Sequence, residues 1–127
     1  MDINSLDRFL EAQDRMYQTA LSEIKKGSKR SHWMWFIFPQ LRGLGSSKMS
    51  YVFGINDIEE AKKYLEHPLL SKRLIEITEA LLTHKGKDIY DIMGDIDVMK
   101  LNLRPFKMLS LFITLYCFAG EWPAVNY

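Results

Sequence analysis

The stretch Lys29-Arg30-Ser31-His32-Trp33-Met34-Trp35-Phe36-Ile37-Phe38-Pro39-Gln40 sets two cations, a hydroxyl and an imidazole before six apolar residues, then closes on a proline and a carboxamide. Its apolar run is too uniform for periodicity to separate strand from helix, although Trp and Phe lean toward strand. No second alternating segment exists to pair with such a strand, and an isolated strand would leave its backbone donors and acceptors unmet. A short buried helix within residues 31–40 is therefore expected, stopped at Pro39. Burial at roughly 1.5–3 kcal/mol per large side chain makes this segment the central pillar of a core.

Outward from that pillar the pattern is helical. Leu6, Phe9, Leu10, Met16, Tyr17, Ala20, Leu21 and Ile24 recur at three-and-four spacing, which predicts an amphipathic helix from Leu6 to Lys26, capped by Asn4 or Ser5 and ended by Gly27. Gly43-Leu44-Gly45-Ser46-Ser47 reads as a loop. Asn56 or Asp57 caps a helix running to about Glu66, and His67-Pro68 is the corner into the next, with Leu70, Leu74, Ile77, Leu81 and Leu82 on one face. Gly86 ends that helix, Asp88 begins a short turn to Met93, Gly94 punctuates, and Pro105 opens a last helix over residues 106–119. The expected fold class is all-α: a compact single-domain helical bundle of about five to seven helices over residues 1–127, with a central buried Trp/Phe-rich helix.

Composition excludes several functions. The 127 residues, 47% apolar, suffice for one ordinary core. Lys and Arg number 17 against 16 Asp and Glu, so there is no global field to gather nucleic acid, which is disfavoured as a partner. One cysteine, Cys117, precludes an intramolecular disulfide or a cysteine-rich metal site and suits a reducing compartment, so a cytoplasmic location is expected. No basic region leads into an apolar run at the N-terminus, and the apolar run 108–119 is short of the roughly 20 residues that span a bilayer, so no membrane role is expected.

The polar residues that packing explains least mark the candidate site. Arg30, Ser31 and His32, with Lys29, are expected at a helix entrance, where backbone N–H groups, a hydroxyl and a guanidinium fork can hold a phosphate or carboxylate. The plainer alternative has Ser31 as a cap and the cations solvated. His32 is the best catalytic candidate because its ordinary pKa of about 6.5 suits proton transfer, yet no Asp or Glu is placed by spacing to orient it. Positions 33 and 35 lie about 200° apart on a helix, and Trp35 is nearer the Ser31 face, so Trp35 is the candidate stacking surface. Gln13, Gln40 and Arg73 can present hydrogen-bonding groups to a ligand's polar edge, or anchor backbone instead. Three scattered His and one Cys give no metal pattern, and no cofactor is expected. The leading function is binding of a small anionic, nucleotide-like metabolite; the alternative is a protein-contact or dimerisation module without catalytic activity.

Arg8-Phe9 with Ala12-Gln13 and Tyr17, the whole 29–40 block, Gly43-Leu44-Gly45, Glu60-Ala61, Tyr64-Leu65, His67-Pro68, Leu70 and Arg73-Leu74 together resemble the domain of unknown function 1810 family. The resemblance covers about residues 6–101, fades after Gly94, Asp97 and Lys100-Leu101, and leaves residues 102–127 atypical. It implies a mainly α-helical domain. Some members carry the label calpastatin; inhibitors of that name are disordered polar repeats, which a chain this rich in Trp, Phe and Leu does not resemble.

Overall fold

Helix α1 (Asp7–Lys26) buries Phe9, Ala12, Tyr17, Ala20, Leu21 and Ile24 along one face, the stripe its periodicity demands. The structure, a computed structural model, describes residues 5–43, 46–84, 87 and 89–94. Within them follow α2 (Met34–Ile37), α3 (Lys48–Phe53), α4 (Ile58–Glu66), α5 (Pro68–Leu82) and α6 (Ile89–Met93), with no strand. The fold is all-α. The predicted last helix, Cys117, Gly86 and Asp88 lie outside the described residues.

Helix α1 packs on α2 and α5, α4 packs on α5, and α2 packs on α3. The 31–40 segment is the pillar its composition requires: Trp33 and Phe38 are completely buried, and Met34, Phe36 and Ile37 nearly so. Aromatic edges lock the layers together. Phe9 meets Tyr64 in a T-shaped pair with centroids 5.2 Å apart, while Phe53 lies 5.1 Å from Phe36 and 6.0 Å from Phe9.

The helix in this segment is shorter than expected. It forms one turn, and Trp33 rather than Ser31 occupies its N-cap, with no side-chain cap bond. Ser31 is withdrawn from that role because its N–H and hydroxyl are bound to α1. After Pro39 the chain instead makes an isolated parallel bridge, Leu41 to Ile55, with Ile55 N–H donating to the Gln40 carbonyl at 2.8 Å and Arg42 N–H to the Ile55 carbonyl at 2.9 Å.

Caps follow local chemistry with shifts of a residue or two. Gly27 ends α1 at φ 81°, its N–H and that of Ser28 closing on the Ile24 and Glu23 carbonyls. At the other end, Ser5 Oγ accepts the Asp7 N–H at 3.2 Å, one position ahead of the formal cap Leu6. Asp57 caps α4, and His67 Nδ1 accepts from Leu69 and Leu70 at the start of α5, where Pro68 occupies the first turn. Helix α5 stops at Leu82, with Thr83 as its C-cap. Helix α3 has no counterpart in the predicted elements; Ser47 caps it by accepting the Ser50 N–H at 3.1 Å. Gly54 ends α3 where an added Cβ would lie 2.5 Å from Arg42 Cα, so no larger residue fits there without moving backbone.

Candidate functional site

The loop after α1 closes on a single carboxylate. Glu23, in the last two turns of α1, receives Arg30 N–H at 2.8 Å, Ser31 N–H at 2.9 Å and the Trp33 indole N–H at 3.0 Å on Oε1, and the Ser31 hydroxyl at 2.6 Å on Oε2. Partial burial alone would raise its pKa. The hydrogen bonds from the Ser31 hydroxyl, the two backbone N–H groups and the indole outweigh that and lower it to about 2. The donors expected to hold a ligand's anion are thus occupied by an anion of the chain itself.

Side chains next to this hub remain available. An open groove of about 740 Å³ is lined by Gln18, Thr19, Ser22, Glu23 and Lys26 of α1, by Ser28 and Arg30 of the loop, and by Lys87. Three cations face one carboxylate there. Among the described residues, neither the Lys26 ammonium nor the Arg30 guanidinium has a hydrogen-bond or ion-pair partner. A helix C-terminus carries roughly half a negative charge, which opposes an anion. Here the α1 terminus is blunted, because the Gly27 carbonyl accepts Lys87 Nζ at 3.2 Å and the Lys25 carbonyl meets His84 Nε2 at 3.2 Å. The cations therefore set the sign of the groove.

The other candidates are dispersed. His32 is exposed and is not among the groove residues. Trp35, partly buried, packs against the core and also lies outside the groove lining, so no stacking face is joined to Arg30. Gln13 and Arg73 do come together: Arg73 Nη1 donates to Gln13 Oε1 at 3.4 Å, while Gln13 Nε2 donates to the Phe36 carbonyl at 2.8 Å and to the Tyr64 hydroxyl at 3.1 Å. Gln13 anchors α2 to α1 and α4. Arg73 also pairs with Asp14 at 3.2 Å and lies over the Tyr17 ring. Tyr17 donates to the Glu76 carboxylate and to the Arg73 carbonyl; burial first, then the Glu76 carboxylate, pushes the phenol far up, so it stays a neutral donor. Gln40 is fully buried, with Nε2 donating to the Phe38 carbonyl at 3.2 Å and Oε1 without a partner among the described residues.

Sequence reasoning missed two charged hubs. Glu23 was not singled out. Arg8, 1% exposed, spends all five guanidinium N–H groups: on the Val52, Ser5 and Gly54 carbonyls at 2.8, 2.6 and 2.9 Å, and on Glu60 at 2.8 and 3.2 Å. The available signal was position. Arg8 falls four residues before Ala12 on the stripe that buries Phe9, where a solvated arginine does not belong.

Among the described residues no group of three His, Cys, Asp or Glu could hold a metal ion, and no helix is long and apolar enough to cross a membrane. A family profile described as "Protein of unknown function (DUF1810)" matches residues 3–115, nearly the whole chain. The chain belongs to the DUF1810 family. The match runs beyond Leu101, where the resemblance in the sequence fades, so the family relationship takes in part of the segment that looks atypical. The DUF1810 chain is also similar to a crystal structure of the conserved hypothetical protein Rv1873 from Mycobacterium tuberculosis. The two are 40% identical, with a TM-score of 0.73, and the alignment covers 94% of this chain and 91% of that one. No curated protein matches it.

Proposed function

We propose that the chain binds a small, strongly hydrophilic anion of the phosphate-monoester class in the groove between the C-terminal half of α1 and the loop that follows. The observation that carries this reading is the meeting of Lys26, Arg30 and Lys87 around one groove otherwise lined by hydroxyls, a carboxamide and the hydrogen-bonded Glu23 carboxylate. Cations supply the attraction, and Gln18, Thr19, Ser22 and Ser28 suit the hydroxyls of a sugar or polyol. Among the described residues no aromatic ring lines the groove, so a sugar phosphate is favoured over the nucleotide-like ligand suggested by the Trp-rich stretch. Arg30 holds the anion in this reading. Ser31 acts indirectly, through Glu23, and His32, Trp35, Gln13, Gln40 and Arg73 lie outside the binding set.

Calorimetric titration with inorganic phosphate, a hexose phosphate and adenosine monophosphate tests the proposal. The hexose phosphate should bind most tightly, Arg30→Ala and Lys26→Ala should each weaken it, and His32→Ala should leave it unchanged. Saturating ligand should also stabilise the parent by about 2.7 kcal/mol at a hundredfold excess over Kd. Equal, negligible heats for all three ligands would end it. A second reading, a protein-contact module, draws on exposed Leu41, Met49, Tyr51, Ile58 and Leu69, and concentration-dependent mass in light scattering is its test.

A further inference from the structure

We infer that Glu23 is a positioning residue for this groove: by gripping the backbone of residues 30 and 31 and the indole of Trp33, it fixes the loop from which the Arg30 guanidinium reaches the ligand. The inference rests on the anion-binding reading above. Its basis is an apparent contradiction, since a carboxylate lining a groove for anions repels the ligand that the groove is meant to hold. Charge alone would favour a neutral residue.

Geometry resolves the contradiction. The carboxylate is answered by four hydrogen-bond donors at 2.6–3.0 Å, two of them consecutive backbone N–H groups, so much of its charge is spent inside the loop. Those donors span residues 30–33, and the last, Trp33, is completely buried, which ties the loop to the core. Lys29 adds two further ties, its N–H donating to the Ile92 carbonyl at 2.7 Å and its ammonium to the Ser31 carbonyl at 2.7 Å. Arg30 therefore extends from a backbone held on both sides, and its side chain is left for the groove. A guanidinium on a fixed backbone loses less freedom when it captures an anion than one on a mobile loop.

The two roles of Glu23 predict opposite signs. If it acts only as a nearby negative charge, Glu23→Gln raises the groove's charge by one and tightens inorganic phosphate and hexose phosphate. If it positions Arg30, the same change weakens both about tenfold despite the added positive charge, and Ser31→Ala, which removes one donor without touching charge, weakens them severalfold. The deciding measurement is a double-mutant cycle on Kd: Arg30→Ala should cost much less in the Glu23→Gln background than in the parent, because the second change removes a contact already lost. Should Glu23→Gln fail to fold, the same cycle is run with Ser31→Ala. Unchanged or tighter binding in Glu23→Gln, or strictly additive effects in either cycle, would overturn the inference while leaving the anion reading intact. A parent that binds neither probe overturns that reading and the inference with it.

Discussion

Two carboxylates in this molecule are each surrounded by donors, and they differ in what happens to the cation beside them. Glu60 meets Arg8 in the interior, where every guanidinium N–H is consumed by Glu60 or by a backbone carbonyl. Glu23 meets backbone, hydroxyl and indole donors near the surface and leaves the Arg30 guanidinium facing a groove. The interior cluster is closed. It joins α1 to the end of α3 and the start of α4 and offers nothing to a ligand. The surface cluster is open, and the contrast teaches that a charged hub becomes a candidate site only when its geometry leaves a charge unspent.

Breaking one partner of the closed cluster should have the largest effect. Glu60→Ala strands a buried guanidinium, and chemical denaturation should show a loss of about 3–5 kcal/mol; the paired change Arg8→Met with Glu60→Leu, which removes both charges, should recover most of it. If the single and paired variants are equally destabilised, the interior pair is not a closed unit.

The open cluster should respond to acid. With its pKa lowered to about 2 in the folded chain, against an ordinary value of 4.5, Glu23 contributes stability that is complete above pH 4.5 and is lost as pH falls through 2. The contribution is on the order of 2 kcal/mol after screening, because the group is only partly buried. Melting followed between pH 5 and 2.5 should fall steeply in the parent and more gently in Glu23→Gln; parallel curves would refute the assignment.

Tyr17→Phe comes next. It removes the phenol's hydrogen bonds to Glu76 and the Arg73 carbonyl and should cost about 1 kcal/mol by denaturation, between the interior and surface extremes. Smallest is Arg30→Ala, whose side chain has no partner among the described residues and should shift folding stability by less than about 0.5 kcal/mol while binding is weakened. A large loss of stability there would mean that Arg30 is structural, and the two clusters would cease to differ.

Much of the scaffold is readable without coordinates. The Phe9–Ile24 stripe, Gly27 at the end of α1, Asp57 before α4 and Pro68 in the first turn of α5 are local signals, each acting within a turn of the residue that bears it. Helix α3 escapes such reading because six residues with one buried apolar anchor, Phe53, carry too little periodicity to register. At the site, Arg30 and Ser31 were recognisable as a polar cluster beside an apolar run. Their partner was not, since Glu23 lies half-buried on the flank of the α1 stripe, three residues after Ala20, and no local spacing says which donors it meets.

The sequence by itself therefore determined that the chain is helical, that residues 33–38 lie in the core and that polar groups gather just before them, because hydrophobic phase and capping act over a few residues. Tertiary structure alone decided which carboxylate satisfies those groups, that Arg8 seeks a partner 52 positions away in Glu60, and which cations share a groove. The physical reason is that a hydrogen bond is set by distance and direction at the scale of an ångström. Only the packing of α1 against its neighbours brings such separated groups within that reach.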